Sequence, residues 1–181
     1  SVNPEGLSHI KVDEPTMSML FTSNNSPFFG REGTLVTSRQ LRERLFRETE
    51  KNLALKVEET GLSEAFMVLG RGILHLSILI ETMRREGFEL QVGQPRVLLR
   101  DINGINHEPV EVLMVQVPER FAGKVIEQVA QRKGEIVNIE VKDDRANLDF
   151  RIPSRGIIGL RNLVLTATEG EAVMAHRFDS Y

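Results

Sequence analysis

Two arginines stand next to glycines at points where a helix is about to begin. Arg71 lies between Gly70 and Gly72, and Arg155 lies in the glycine-containing stretch Ser154–Gly159. Free backbone N–H groups at the start of a helix attract anions, so an arginine there is a candidate for phosphate binding. Neither stretch has the spacing of a dinucleotide-binding or P-loop motif. The sequence indicates two points of phosphate contact, with an ordinary turn arginine as the alternative at each.

Other residue types with the potential for chemistry do not form a recognisable set. The chain has no cysteine, so a disulfide framework and a thiol nucleophile are both excluded. No Ser/His/Asp set, carboxylate pair or nucleotide-binding loop emerges, and we predict no catalytic, metal or cofactor-binding residues in this chain. The histidines are far apart in sequence and none forms a ligand-like pair: His9, His75, His107 and His176.

Composition excludes several classes of protein. Lysine and arginine total 23 against 26 aspartates and glutamates, a formal charge of -3, so the basic excess of a freestanding nucleic-acid binder is missing. Any RNA contact must therefore use local basic patches. Hydrophobic residues make up 40% of the chain, and no apolar run approaches the roughly 20 residues that span a bilayer. Since no signal peptide is recognisable either, we expect a cytoplasmic protein.

One helix is predicted with particular clarity between Gly72 and Gly87. Glycine just after the last periodic residue is typical of a helix end. At about 100° per residue, one stripe of the helix is apolar and a second apolar side carries Leu74 and Ile78. Such a helix needs two packing partners, and we expect Leu74 and Ile78 to pack against a neighbouring helix on the same sheet face. The first stripe consists of Leu76, Leu79, Ile80 and Met83.

The order of predicted elements repeats along the chain. Strand, helix, strand, strand, helix, strand is predicted before the Asn103-Gly104 turn and again after it. Two successive βαββαβ units indicate an α+β protein made of two ferredoxin-like domains, each with an antiparallel sheet and helices on one face. We predict the first domain at residues 13–102, a linker at 103–109 and the second domain at 110–181. Within them we predict a loop at 24–33, a strand at 53–58 and a last helix at 157–168 with Leu163 facing inward.

Several segments together resemble the translational GTPases, and the BipA/TypA family more than elongation factor G. The first is Gly70-Arg71-Gly72-Ile73-Leu74-His75-Leu76, followed by Met83 to Leu90. The family usually has glutamate where this chain has Ile73, which puts any role of a carboxylate there in doubt. The other matching segments are Asp13–Thr16, Asn25–Phe28, Gly33, Val36–Arg39, Val57–Thr60, Arg132–Gly134 and Ile152–Gly159.

The resemblance implies a larger protein than this chain. Family members carry a GTP-binding domain, which holds GTP and Mg²⁺, a β-barrel domain and a family-specific C-terminal domain. Residues 1–12 would be the tail of the barrel domain. The family binds ribosomes and is linked to large-subunit assembly, stress adaptation and virulence regulation. This chain would then be a ribosome-docking middle section that meets ribosomal RNA and proteins and the other domains of its own polypeptide, with no membrane partner and no GTPase activity of its own.

Such docking would depend on contacts with RNA phosphates, which are largely independent of the base sequence. Two other functions remain open because acylphosphatases and ACT-type small-ligand sensors share the βαββαβ fold. For the paired arginines at helix ends, a favourable interaction with the helix dipole is the alternative explanation. Charge and position select these candidates for ribosome or RNA contact: Arg71, Arg84, Arg85, Arg132, Lys133, Arg155 and Arg161.

Overall fold

The computed structural model describes residues 14–23 and 33–181. They form two α+β domains in succession, each built on an antiparallel sheet. The expected barrel tail at residues 1–12 and most of the loop predicted after the first strand lie outside the described residues. Within the described ranges, no helix is both long enough and apolar enough to cross a membrane.

The first domain begins with a strand and a well-capped helix. The Thr37 side chain accepts a hydrogen bond from the backbone of Gln40, whose own side chain accepts one from the Thr37 backbone, so both residues satisfy free N–H groups at the helix start. The elements of this domain are β1 (Met17–Ser23), α1 (Ser38–Lys51), β2 (Lys56–Thr60), β3 (Leu62–Gly70), α2 (Ile73–Arg85), β4 (Leu90–Val92) and β5 (Arg96–Val97).

A small hairpin separates the two domains. It is formed by β6 (Arg100–Ile102) and β7 (Ile105–His107), and Asn103 and Gly104 at its turn both have positive φ, as a tight two-residue hairpin requires. The hairpin therefore occupies much of the segment where the sequence indicated a turn-rich linker.

The second domain repeats the order of the first. A short 3₁₀ turn at Glu119–Phe121 precedes its first long helix. The elements are β8 (Val110–Pro118), α3 (Ala122–Gln131), β9 (Glu135–Lys142), β10 (Arg145–Pro153), α4 (Ser154–Ile157), α5 (Leu160–Ala167) and β11 (Val173–Ser180).

Both sheets have the same strand order. In the first it is β2-β3-β1-β4, with β5 also paired to β1, and in the second it is β11-β8-β10-β9. In each case the first and third strands of the unit are central and the second and fourth are at the edges, and all pairings are antiparallel. This is the ferredoxin-like arrangement expected from the repeated element order.

Each domain has its own apolar core between its sheet and its helices. The predicted stripe of α2 is buried in the first core, together with alternate residues of β1 such as Met19 and Phe21. The second core joins alternate residues of β8 and β10 to Val125 and Val129 of α3 and to residues of α5. In both cores, alternate apolar residues of the strands pack against the apolar stripes of the helices. The helices of each domain therefore cover one face of its sheet.

Three local expectations differ from the structure. Leu74 and Ile78 are 45% and 54% exposed, so no helix in the described part of the chain covers them as expected. Leu53, predicted to start a strand, lies in the turn after α1 and is 72% exposed. The last predicted helix, at 157–168, is interrupted at Gly159, whose φ of 77° starts α5 anew. Leu163 was expected to face inward, but it is exposed on α5.

Candidate functional site

The turn into α2 presents Arg71 to solvent. Strand β3 ends at Gly70, and Gly72 has a φ of 116°, a conformation that residues with a side chain rarely adopt. Among the residues that the structure describes, none caps the start of α2 with its side chain, so the free N–H groups there keep a partial positive charge. Gly72 therefore fixes an exposed arginine at an electropositive helix end, as the sequence indicated.

His75, one turn into α2, is held in its neutral form. The Asn52 Oδ1 atom accepts from the backbone of Ala54 at 3.2 Å, which turns Nδ2 of Asn52 as a donor toward Nε2 of His75. The backbone N–H of Arg71 points at the other ring nitrogen from 3.4 Å. A neutral imidazole has one acceptor nitrogen, which can take one of these two donors, whereas a charged imidazole has none. Burial, together with the charge of Arg71, lowers the pKa of His75 below its ordinary value.

A carboxylate from the second domain faces the same helix start. Glu111 of β8 is 4% exposed, and its Oε1 atom accepts from Nδ1 of His176 at 2.8 Å. That oxygen also lies 3.9 Å from the place where a Cβ on Gly72 would be. A negative group at a helix N-terminus is favourable, so Glu111 links the second domain to α2 electrostatically. Sequence reasoning missed Glu111 and His176, because only the pairing of β8 with β11 brings them together.

The second glycine-flanked arginine lies in a turn that is held from within the domain. The Nη1 atom of Arg132, just after α3, donates to the carbonyl of Ile158 at 2.7 Å. Arg155 donates from Nε to Glu108 at 2.6 Å, and this hydrogen bond raises the pKa of Arg155. Ser154, the first residue of α4, is buried, and its hydroxyl has no hydrogen-bond partner within the described ranges. Hydrogen bonds therefore hold the turn from Ser154 to Gly159 in place. Two cations near this turn, Arg132 and Arg155, already have hydrogen-bond partners.

The seven candidate contact residues fall into separate groups. Arg71 lies at one end of α2 and Arg84 and Arg85 at the other, roughly 20 Å away along a helix of 13 residues. Arg85 pairs with Glu81 on the surface of the helix. In the second domain, by contrast, one end of the helix layer collects Arg132, Lys133, Arg155 and Arg161 around the turn at Gly159.

The described residues suggest no metal centre. In ranges 14–23 and 33–181, histidine and acidic side chains do not gather into a group of three or more that could hold a metal ion. His176 and Glu111 form a hydrogen bond with each other, and Nε2 of His75 faces the amide Nδ2 of Asn52. The chemistry available at the surface is the binding of anions by arginine and of apolar groups by exposed aliphatic side chains.

Comparisons with known proteins identify the family. Residues 105–181 match the family described as elongation factor G C-terminus, which covers the whole second domain. The chain is 52% identical over 179 residues to a large ribosomal subunit assembly factor BipA of Synechocystis, spanning 98% of this chain. Over nearly its whole length, the chain is similar to proteins of the BipA/TypA family. It is also 48% identical to the BipA of Bacillus subtilis over 95% of its length, and 48% identical to a chloroplastic TypA-like protein, SVR3, of Arabidopsis thaliana over 99%.

The matched relatives are much longer than this chain. It spans 30% of the Synechocystis BipA, 28% of the Bacillus protein and 27% of the Arabidopsis protein. The two domains described above are therefore the counterpart of less than a third of a BipA/TypA polypeptide.

Position 73, where a BipA/TypA sequence was expected to carry glutamate, is apolar for a structural reason in this chain. The half-buried side chain of Ile73 packs against both hydrophobic cores. Ile158 of the second domain reaches back and packs against the first core. These two isoleucines form a reciprocal apolar contact between the domains. A carboxylate at position 73 would be desolvated by the same apolar surroundings.

Proposed function

We propose that this chain is the ribosome-docking section of a GTP-binding translation or ribosome-assembly factor, acting in the cytoplasm and non-catalytic by itself. The observation that carries the proposal is the identity of 48–52%, over nearly the whole chain, to proteins named large ribosomal subunit assembly factors. The partners in this proposal are ribosomal RNA, ribosomal proteins and the remaining domains of the longer polypeptide.

In this proposal GTP and Mg²⁺ bind in another part of the longer polypeptide. The 181 residues contain no P-loop or other glycine-rich nucleotide motif. Arg155 and Arg161 instead lie at helix starts, where backbone N–H groups and guanidinium groups together suit the phosphates of RNA. The role assigned to these two domains is to position the GTP-binding part on the ribosome.

The phosphate contacts are expected mainly from arginines that the fold leaves at the surface. Arg161 is exposed on the first turn of α5, and Lys133, which has a positive φ of 65°, is exposed just after the end of α3. Arg132 is half-buried and bonded to a carbonyl, so we assign it to holding the turn. Arg155 must exchange Glu108 for a phosphate in order to contribute.

Co-sedimentation of the chain with purified ribosomes across a salt series tests this proposal. We expect weak, salt-sensitive binding, and Arg161→Ala should reduce the slope of log affinity against log salt by about 1. The matched control is Arg39→Ala, which removes another exposed arginine, paired with Glu43 on α1. Absence of binding by the unaltered chain and by a longer polypeptide carrying the GTP-binding domain would refute the ribosome assignment.

The acylphosphatase-type alternative is not favoured by the second domain. Such an enzyme needs an arginine free to hold phosphate in the turn between the first strand and the first helix of the unit. Arg120 occupies that turn, but it pairs with Glu171 at 3.2 Å and lies over the ring of Phe121 at 4.5 Å. The corresponding turn of the first domain lies outside the described residues.

A further inference from the structure

Helix α2 leaves two large apolar side chains uncovered where the two domains meet. Leu74 and Ile78 lie on the side of α2 turned away from the first core. Together with Phe178 of β11 they line a cleft of about 360 Å³ that has walls from both domains. We call this the interdomain cleft. Its volume is in the range of small ligand sites, and exposed aliphatic side chains gathered in a concave place usually mark a binding surface.

The charged groups at the interdomain cleft differ in their exposure to solvent. Glu111 and His176 satisfy each other, and His75 is directed to Asn52. Two arginines, Arg71 and Arg177, also line the cleft and are exposed at its surface. The accessible charge beside the apolar wall is therefore positive. An occupant that combines an apolar group with nearby negative charge is complementary to this arrangement.

A protein segment fits the interdomain cleft better than a nucleotide does. RNA bases bind chiefly by stacking on aromatic rings or guanidinium planes, whereas this wall is mostly aliphatic. The aromatic ring of Phe178 already makes an edge contact with Tyr181, with centroids 5.5 Å apart. The buried carboxylate of Glu111 would also oppose a phosphate placed deep in the cleft.

We propose that the interdomain cleft receives an apolar side chain from an acidic segment of a ribosomal protein when the chain docks on the ribosome. This inference rests on the proposed function and adds a partner class and a site to it. Leu74, Ile78 and Phe178 contact the apolar side chain, and Arg71 and Arg177 face the acidic residues beside it.

Affinity measurements with a matched pair of variants test the site. Ile78→Gln removes an exposed apolar side chain from the cleft and keeps a good helix former, so the fold is retained. Leu163→Gln is the control, since Leu163 is also an apolar residue exposed on a helix and it lies outside the cleft. In co-sedimentation with purified ribosomes we expect roughly tenfold weaker binding for Ile78→Gln and a change within about twofold for the control.

The outcomes separate this inference from the proposed function. If the unaltered chain binds ribosomes and Ile78→Gln binds equally well, the cleft proposal is wrong and the ribosome assignment stands. Equal losses for both variants would also overturn the cleft proposal, because they would indicate a general need for apolar surface. If the unaltered chain does not bind at all, both proposals fail.

A photo-reactive benzophenone amino acid in place of Ile78 identifies the occupant directly. After irradiation with purified ribosomes, we expect an adduct with a ribosomal protein, mapped by mass spectrometry to a segment in which acidic residues flank an apolar one. An adduct with ribosomal RNA, with a basic protein segment or with a second copy of this chain would overturn the proposal. So would the absence of any adduct when the substituted chain still sediments with ribosomes.

Discussion

The two domains share a strand order but hold their helices in different ways. In the first, the Arg44 side chain bridges α1 to the end of α2: it donates to Glu86 at 2.5 Å and also to Glu48. In the second, α3 and α5 approach each other closely through apolar side chains, among them Val125 and Val164. The first domain thus has a buried network of ion pairs between its helices, whereas in the second domain the helix backbones pack closely together.

That difference shows how one topology tolerates unlike chemistry between its helices. A buried arginine is stable only when its donors are satisfied, so the first domain needs two carboxylates at fixed positions. Close packing instead needs small residues where backbones meet. Gly134 and Gly156 meet this need near the end of α3, since a Cβ on either would overlap a neighbouring atom. The two domains should therefore fail through different substitutions.

The largest effect is expected from Gly156→Ala in the second domain. A Cβ there would lie 2.5 Å from the carbonyl oxygen of Arg132 and 3.0 Å from the side chain of Ile152. Because backbone must move, we expect a loss of about 3 kcal/mol in the free energy of unfolding, measured by urea denaturation. The control is Gly123→Ala on α3, where nothing lies within 4 Å, and it should stabilise by about 0.5–1 kcal/mol. Equal effects of the two substitutions would contradict the close-packing account.

Arg44→Ala is the corresponding test of the first domain. Glu48 and Glu86 lose their buried partner but retain some access to water, so we expect a loss of about 2 kcal/mol in the free energy of unfolding. Arg39→Ala on the same helix removes a fully exposed ion pair and should cost under about 0.5 kcal/mol. If both substitutions cost the same, the buried network does not stabilise the domain beyond an ordinary surface pair.

Much of the fold could be predicted because its signals are local. The stripe of Leu76 and Met83 and the glycines around α2 define the helix from within 20 residues, and the repeated element order gives both domains. The turn with Asn103-Gly104 was readable too, although the hairpin it closes was not predicted. Such features depend on backbone geometry and periodicity, which neighbouring residues determine.

The arrangement of the candidate site could not be predicted in the same way. Glu111 and His176 meet only through the β8–β11 pairing, and Arg132 finds the carbonyl of Ile158 across 26 residues. Leu74 and Ile78 have a sequence pattern typical of a packed helix face, but the placement of the second domain leaves them exposed. Contacts between residues far apart in sequence determine which apolar side chains are buried and which stay exposed. The local sequence pattern is the same in both cases, so it does not predict the difference.

The smallest expected effect concerns the pH dependence of the first domain. Burial and Arg71 lower the pKa of His75 in the folded chain, so the unfolded chain takes up this proton first as the pH falls. The stability that neutral His75 contributes is complete above its unfolded pKa of about 6.5 and decreases as the pH falls toward the folded pKa. Urea midpoints should therefore fall between pH 7 and 5.5, and they should fall less in His75→Gln. Gln keeps an acceptor for Asn52 but does not titrate in this range. Identical pH profiles for the two proteins would therefore show that the half-buried His75 is not the group responsible, and the comparison between the domains would then rest on Arg44 and Gly156 alone.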